Sequence, residues 1–319
     1  MMKYRICFLL FVFVLFSCQK EPEDIQTGWE FYNLSGKVKR MEKREGVVSD
    51  YKFGEPVFEQ ETSTTVEFNE YGFITKVQTS SSKKYSSKES ERVITYDNPK
   101  SGYKKKESFK GTYYDGTNGE YYFLYEYDTI LNRVLSEKKV DVLLGEEEIS
   151  NWEYKGEKIR MSKYNSKEEL IHLIVVDKSI NPQSYIVYNG DGSVDYETYS
   201  FYDGEIVKKD SVVFMYPKYG SSYVSSYDKF ERIISTKRLE FKTEDYRILD
   251  DGETTYEYET DSKNSTYIER QYKDLGKSLE SEFKFQKNLD EIGNVIEEFK
   301  INMKTNKIEE GISYTIQYY

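Results

Sequence analysis

From residue 31 to the C-terminus the dominant period of apolar and polar residues is two, and nothing else in the chain constrains its fold as strongly. Leu279, Phe283 and Phe285 alternate with Glu280, Glu282, Lys284 and Gln286. Val295, Phe299, Ile301 and Met303 alternate with Ile296, Glu298, Lys300 and Asn302, and Ile308, Ile312, Tyr314, Ile316 and Tyr318 share one parity. A period of two sends successive side chains to opposite sides of an extended chain, so it specifies strands with one sheltered and one wet face. The helix signal at Asn165–Leu170 is six residues long and precedes a β-branched run, so it reads as a turn. The 32 tyrosines and 18 phenylalanines agree with this, because a ring with a polar tip suits a half-buried sheet.

The turns share a theme: an aromatic residue, then Asn or Asp, often Gly, then an apolar pair. Phe68-Asn69-Glu70-Tyr71-Gly72, Tyr188-Asn189-Gly190-Asp191-Gly192, Tyr202-Asp203-Gly204 and Tyr227-Asp228-Lys229-Phe230-Glu231 show it, as does Asp290-Glu291-Ile292-Gly293 after Leu289. Asn, Asp and Gly tolerate the positive φ of tight hairpins. The signature resembles that of YD-repeat (Rhs-type) proteins, with the dipeptide at Tyr96-Asp97, Tyr114-Asp115, Tyr127-Asp128, Tyr202-Asp203 and Tyr227-Asp228. Gly72 and Gly293 stand at the signature's glycine, and Glu231 replaces it in one copy. The Tyr-Asn-Gly-Asp-Gly segment also resembles MORN-like hairpin repeats. The resemblance implies an architecture and no catalysis: all-β, an elongated antiparallel β-meander or coiled repeat sheet of β-hairpins, with residues 31–319 as one β-repeat domain. Thr79–Ser90 is expected to be an exposed loop or long hairpin tip, and Asn98–Gly102 a turn.

The N-terminus reads as an address. Lys3 and Arg5 precede an apolar run from Ile6 to Phe16, too short to span a bilayer as a helix. Leu15-Phe16-Ser17-Cys18 resembles the bacterial lipobox, with Phe16 where a smaller residue is usual. Residues 1–17 are therefore expected to be a signal peptide, Cys18 the lipidation site and residues 18–30 a lipidated tether. Gln19-Lys20-Glu21-Pro22-Glu23-Asp24 resembles the export signal of Bacteroidetes surface lipoproteins. The implied place is the outer membrane, lipid-anchored, on the cell surface in preference to the periplasmic face.

Reactive groups are few. The two cysteines are Cys7, in the leader, and Cys18, which leaves no thiol for a disulfide or a metal site in the mature chain. His172 is the one histidine, inside the apolar run Leu170–Val176, so a Ser-His-Asp arrangement or a zinc site has little to draw on. Glu146-Glu147-Glu148 reads as a solvated hairpin tip and Lys104-Lys105-Lys106 as a solvated face. The glycine-rich acidic turns at 115–120 and 189–192 lack EF-hand spacing. No catalytic residue, metal or cofactor is expected, and the net charge of −11 argues against nucleic acid. The tyrosine clusters are the candidate binding residues: Tyr113, Tyr114, Tyr121, Tyr122 and Tyr125, near Tyr127, then Tyr196, Tyr199 and Tyr202. Their rings would stack on sugars or fill an interface, or else form cross-strand ladders that stiffen the sheet. The expected function is a non-enzymatic, membrane-anchored lipoprotein that binds an envelope protein or glycan, or acts as a spacer. The alternative is a polysaccharide hydrolase that uses a carboxylate pair.

Overall fold

The computed structural model describes residues 25–52, 55–82, 88–113, 115–203, 206–215, 219–242, 248–260, 265–273 and 276–319. Residues 1–24, the expected leader and Cys18 among them, and Tyr114 lie outside them, as do positions 83–87 of the expected loop, whose flanks are strand. After a four-residue helix, α1 (Gly28–Phe31), twenty strands follow among the described residues. They are β1 (Val38–Lys52), β2 (Glu55–Phe68), β3 (Ile74–Ser81), β4 (Glu89–Asn98), β5 (Tyr103–Thr112), β6 (Asn118–Asp128), β7 (Arg133–Asp141), β8 (Glu147–Lys155), β9 (Lys158–Tyr164) and β10 (Leu170–Asp177). Then come β11 (Gln183–Asn189), β12 (Val194–Asp203), β13 (Ile206–Met215), β14 (Tyr219–Tyr227), β15 (Ile233–Lys242), β16 (Ile248–Tyr258), β17 (Tyr267–Lys273), β18 (Ser278–Leu289), β19 (Val295–Asn302) and β20 (Lys307–Tyr318).

Each strand pairs antiparallel with the next, as a meander requires. But β1 also pairs with β20, Met41 facing Val66 on one side and Ile316 on the other. The sheet is thus a closed, up-and-down barrel, which corrects the expected open, elongated sheet. Closure removes both edges, so no strand presents unpaired N–H and C=O groups to another chain. Twenty strands at about 4.8 Å spacing and about 40° of tilt make a ring about 40 Å across if round. The wall does not fill such a ring. Among the described residues ten apolar side chains are buried, and along β10 every residue is half-exposed on both faces.

The parity seen in the sequence separates a crowded face from an open one. In β8, Ser150, Trp152 and Tyr154 are sheltered while Ile149, Asn151, Glu153 and Lys155 are exposed. Register carries the crowded parity round the ring, through Val66, Val77, Arg92, Phe109 and Tyr121. Closing a sheet draws the side chains of its concave face together and spreads those of its convex face, so the crowded face is the inner wall. The outer face carries Lys76, Glu91, Lys138, Arg160, Lys237 and Arg270, all well inside their strands. The inner wall is charged too, at Lys43, Glu107, Lys139, Lys163 and Lys300.

The best-packed region lies where the chain begins. Thr27 caps α1 with a reciprocal Glu30 pair, and Trp29 donates Nε1–H to the Val38 carbonyl at 2.7 Å. Trp29, Tyr32 and Leu34 cover Val38, Met41, Val66 and Phe68 on the inner wall. Gly28 permits this approach, since a Cβ there would stand 2.5 Å from Ile74. The packed chain reaches back to Thr27, so the segment left for a tether ends before it.

The aromatic-Asx turns gather mostly at this same end. Asn69 Oδ1 accepts the N–H groups of Tyr71 and Phe73, Asp228 those of Phe230 and Arg232, and Asp290 those of Ile292 and Asn294. Gly72 and Gly293 have φ of +88° and +96°, and Glu231 takes +60° at the corresponding place. The residue before each Asx sits at a register shift, as at Glu67/Phe68, Ser226/Tyr227 and Asn288/Leu289. Tyr96, Tyr154 and Tyr258, each near the end of its strand, donate their hydroxyls to carbonyls of the preceding strand, at Ile74, Val134 and Ile233.

Candidate functional site

The inner wall over β5–β7 holds the densest set of rings and charges. Along β6 every second residue is aromatic, so Tyr121, Phe123, Tyr125 and Tyr127 project from one face. Centroid separations of 5.6, 6.3 and 6.3 Å run down this column, and Phe109 stacks on Tyr121 at 4.7 Å. Tyr103 extends the column at 5.0 Å from Tyr127. Two further inner ladders cross strands: Tyr185, Tyr196, Phe214 and Tyr223 over β11–β14, and Tyr258, Tyr267 and Phe285 over β16–β18.

Beside the first ladder stands Glu107, whose side chain is only 11% exposed. Its carboxylate meets Arg92 Nε at 2.5 Å and Lys104 Nζ at 3.1 Å, and accepts the Tyr125 hydroxyl at 3.3 Å. Burial works to raise its pKa, but the hydrogen bond and charge of Arg92, with Lys104, prevail and hold it below the ordinary range. Glu137, which also bonds Tyr125, is pushed up by burial and then by the charge of Glu107. Burial and Glu107 together push the Tyr125 and Tyr96 hydroxyls far above their usual range, so both are protonated donors at neutral pH. Lys139 lies 5.4 Å from the Tyr121 ring centre. The wall thus offers flat apolar faces, neutral hydroxyls and fixed carboxylates side by side.

The tyrosines expected from the sequence do not form one site. Tyr121, Tyr125 and Tyr196 are inward. Tyr122 and Tyr199 are outward, Tyr122 under Lys106 and Tyr199 bonded to Glu197 at 3.1 Å. Tyr113 lies against Gly119 at the far end, and the Tyr202 backbone is clasped by the Asn181 amide at 2.9 and 3.1 Å. Arg92, Glu107, Glu137, Phe109 and Phe123 were not singled out. The strict alternation from Tyr121 to Tyr127 is the signal that separates inward from outward rings. Of Glu146–Glu148 only Glu146 lies in the exposed β7–β8 connection: β8 begins at Glu147, which pairs with Lys138 outside, while Glu148 pairs with Lys163 at 2.7 Å inside. Asn165 makes the expected turn, its Oδ1 accepting from Lys167 and Glu169. His172 lies on the inner wall between Lys163 and Asn189. Among the described residues no cluster of His, Cys, Asp or Glu is arranged to hold a metal ion.

No protein-family model matches this chain, and no curated protein does. Among solved structures, a porin-like protein from Bacteroides uniformis is 11% identical, with 93% of this chain and 100% of that chain covered and a TM-score of 0.37. A porin-like protein from Bacteroides vulgatus is 10% identical over 88% of this chain and 98% of that one, with a TM-score of 0.22. TcdB2-TccC3 without its hypervariable C-terminal region is 11% identical, covering 85% of this chain, with a TM-score of 0.30; this chain spans only 16% of its length. At such scores the likeness carries no functional argument.

Proposed function

We propose that this protein is a non-enzymatic β-barrel of the outer envelope, held to the membrane by acylated Cys18, that binds a glycan along its inner wall. The observation that carries the reading is the set of three inward aromatic ladders beside fixed carboxylates and protonated hydroxyls. Rings stack on the apolar faces of sugars, and the carboxylates accept sugar hydroxyls. The barrel stands in water and is not inserted. A bilayer-spanning barrel needs an outward apolar band about 25 Å tall, and Lys or Arg at its midplane costs about 2–4 kcal/mol each. Lys138, Lys237 and Arg270, near the middle of their strands, would carry that cost here, and Lys76 and Arg160 part of it.

Calorimetric titration of the mature protein against a panel of envelope and other glycans tests this. Tyr121→Leu keeps apolar area but removes the flat ring, and should weaken binding about tenfold, about 1.4 kcal/mol. Outward Tyr122→Leu should change it less than twofold. Equal effects, or no glycan bound at all, would favour the spacer. A second reading, glycan hydrolysis, draws on Glu107 and Glu137, which flank one hydroxyl with pKa values displaced in opposite directions. Turnover of a bound glycan that Glu137→Gln abolishes without loss of binding would select it.

A further inference from the structure

We propose that the end of the barrel at which the chain enters is a membrane-docking rim whose occupant is the bilayer surface itself. The proposal rests on the reading of Cys18 as the acylated residue. From Cys18 to Ile25, the first described residue, are seven steps, which span at most about 25 Å when fully stretched. The rim that follows Ile25 is therefore held within one short tether of the lipid.

That rim bears apolar side chains aimed at solvent, as the far rim does at Leu143, Leu144 and Leu249, so it is the tether that selects between the two ends. Ile130 on the β6–β7 turn is 79% exposed, Ile180 on the β10–β11 turn 52%, Ile292 on the β18–β19 turn 51%, and Phe31 on α1 66%. The three turns lie four and eight strands apart round a ring of twenty, so the tips are spread over the rim as feet are under a table. Each turn is stiffened by its acidic residue. Asp128 Oδ1 accepts from Ile130 and Leu131 N–H, Asp177 from Ser179 and Asp290 from Ile292. The tips are thus presented without an ordering cost when they meet the headgroup boundary. Charges of both signs share the rim, Lys100, Lys155 and Lys229 with Glu70, Glu157 and Glu291. With the turn acids Asp128, Asp177 and Asp290 added, acidic groups outnumber basic ones there, so the contact is apolar and gains nothing from anionic headgroups. With this mouth against the membrane, ligand reaches the inner wall from the opposite mouth.

The mature protein, coupled through the Cys18 thiol to a maleimide phospholipid, is held on vesicles whether or not cells acylate it. A genetically encoded fluorescent residue is placed at Thr129, at Glu291, or at Lys304 on the far β19–β20 turn, and quenched by nitroxide on the lipid chains. Quenching at 129 and 291 should exceed that at 304 at least threefold on zwitterionic vesicles, and no more than that on anionic ones. In an Ile130→Asn/Ile180→Asn/Ile292→Asn variant it should fall to the level at 304. Equal quenching at both ends, no quenching at the rim, or quenching that needs anionic lipid would overturn the rim. Intact mass of the protein from native membranes tests Cys18 separately: a mass without acyl chains removes the anchor and leaves the vesicle result standing.

Discussion

Asn294→Ala should be the most damaging single-atom-group deletion at the junction that closes the barrel. The Asn294 side chain is fully buried on the β18–β19 turn. Its Oδ1 accepts the Ser35 N–H at 2.5 Å, and its Nδ2 donates to the Ser35 carbonyl at 3.0 Å and to the Tyr318 hydroxyl at 2.6 Å. One amide thereby joins the entering segment, a turn and the last strand. Alanine leaves the Ser35 N–H and C=O without partners. Each orphaned group costs about 1–3 kcal/mol, and the low end applies because Ser35 is exposed and water reaches it. The Tyr318 hydroxyl keeps Asp290 at 2.5 Å, so its loss is small. Two groups and the vacated volume sum to about 3 kcal/mol, a large share of the about 5–15 kcal/mol that holds a folded domain. Asn294→Asp should cost more at pH 7, since it loses both donors and sets a carboxylate beside Asp290; burial and Asp290 raise the new acid above its unfolded value, so the difference should narrow as pH falls toward about 4 and level off below it. Urea unfolding followed by far-UV circular dichroism measures both. A loss below about 1 kcal/mol for Asn294→Ala would mean that the junction is held by β-ladder pairing alone and that the amide network is incidental.

Other expectations are smaller. Glu231 occupies +60° φ, where an L-residue pays about 1–2 kcal/mol and Gly loses part of that in chain entropy. Glu231→Gly should therefore stabilise by about 0.5–1 kcal/mol and Gly293→Ala destabilise by about 1–2 kcal/mol, read as shifts in urea midpoint; a stabilising Gly293→Ala would refute the turn argument. Tyr185, Tyr227 and Tyr314 are pushed up to about 12, chiefly by burial. A raised tyrosine contributes stability that is whole below about pH 10, the unfolded value, and is lost as pH climbs through about 12. Alkaline titration should show tyrosinate absorbance lagging free tyrosine and then rising with unfolding between those limits. Free-tyrosine behaviour in a barrel still folded at pH 11 would contradict the burial of these rings.

Much of this architecture was readable from local chemistry, because a strand's period and a turn's φ are local properties. The alternation through Leu279–Gln286 specified β18, and Asp290 through Gly293 specified the turn that follows it. Even the departure at Glu231 kept the conformation of the signature, since the Asp228 carboxylate holds the turn with two N–H bonds whether or not glycine follows. That Tyr121 and Tyr122 diverge was equally local, though both were expected in one binding cluster; which of the two faces inward follows only from closure.

Closure was not local. It depends on Met41 meeting Ile316 across the length of the chain, and β1 reads no differently when its second neighbour is a strand than when it is solvent. Nor does sequence separation suggest that Glu107 and Glu137, on strands that never pair, share one hydroxyl on Tyr125 between them. The alternation also reads as one sheltered and one wet face, whereas the structure sets charge on both, and that carries the physical distinction that matters most. Hydrocarbon demands one apolar face of any barrel it surrounds, and a wall with Lys138 outside and Lys139 inside on adjacent positions of β7 offers none. A chain with this pattern can close as a pore does and still belong to water, which leaves the proposed acyl group at Cys18 and the apolar turn tips as the parts suited to meet lipid.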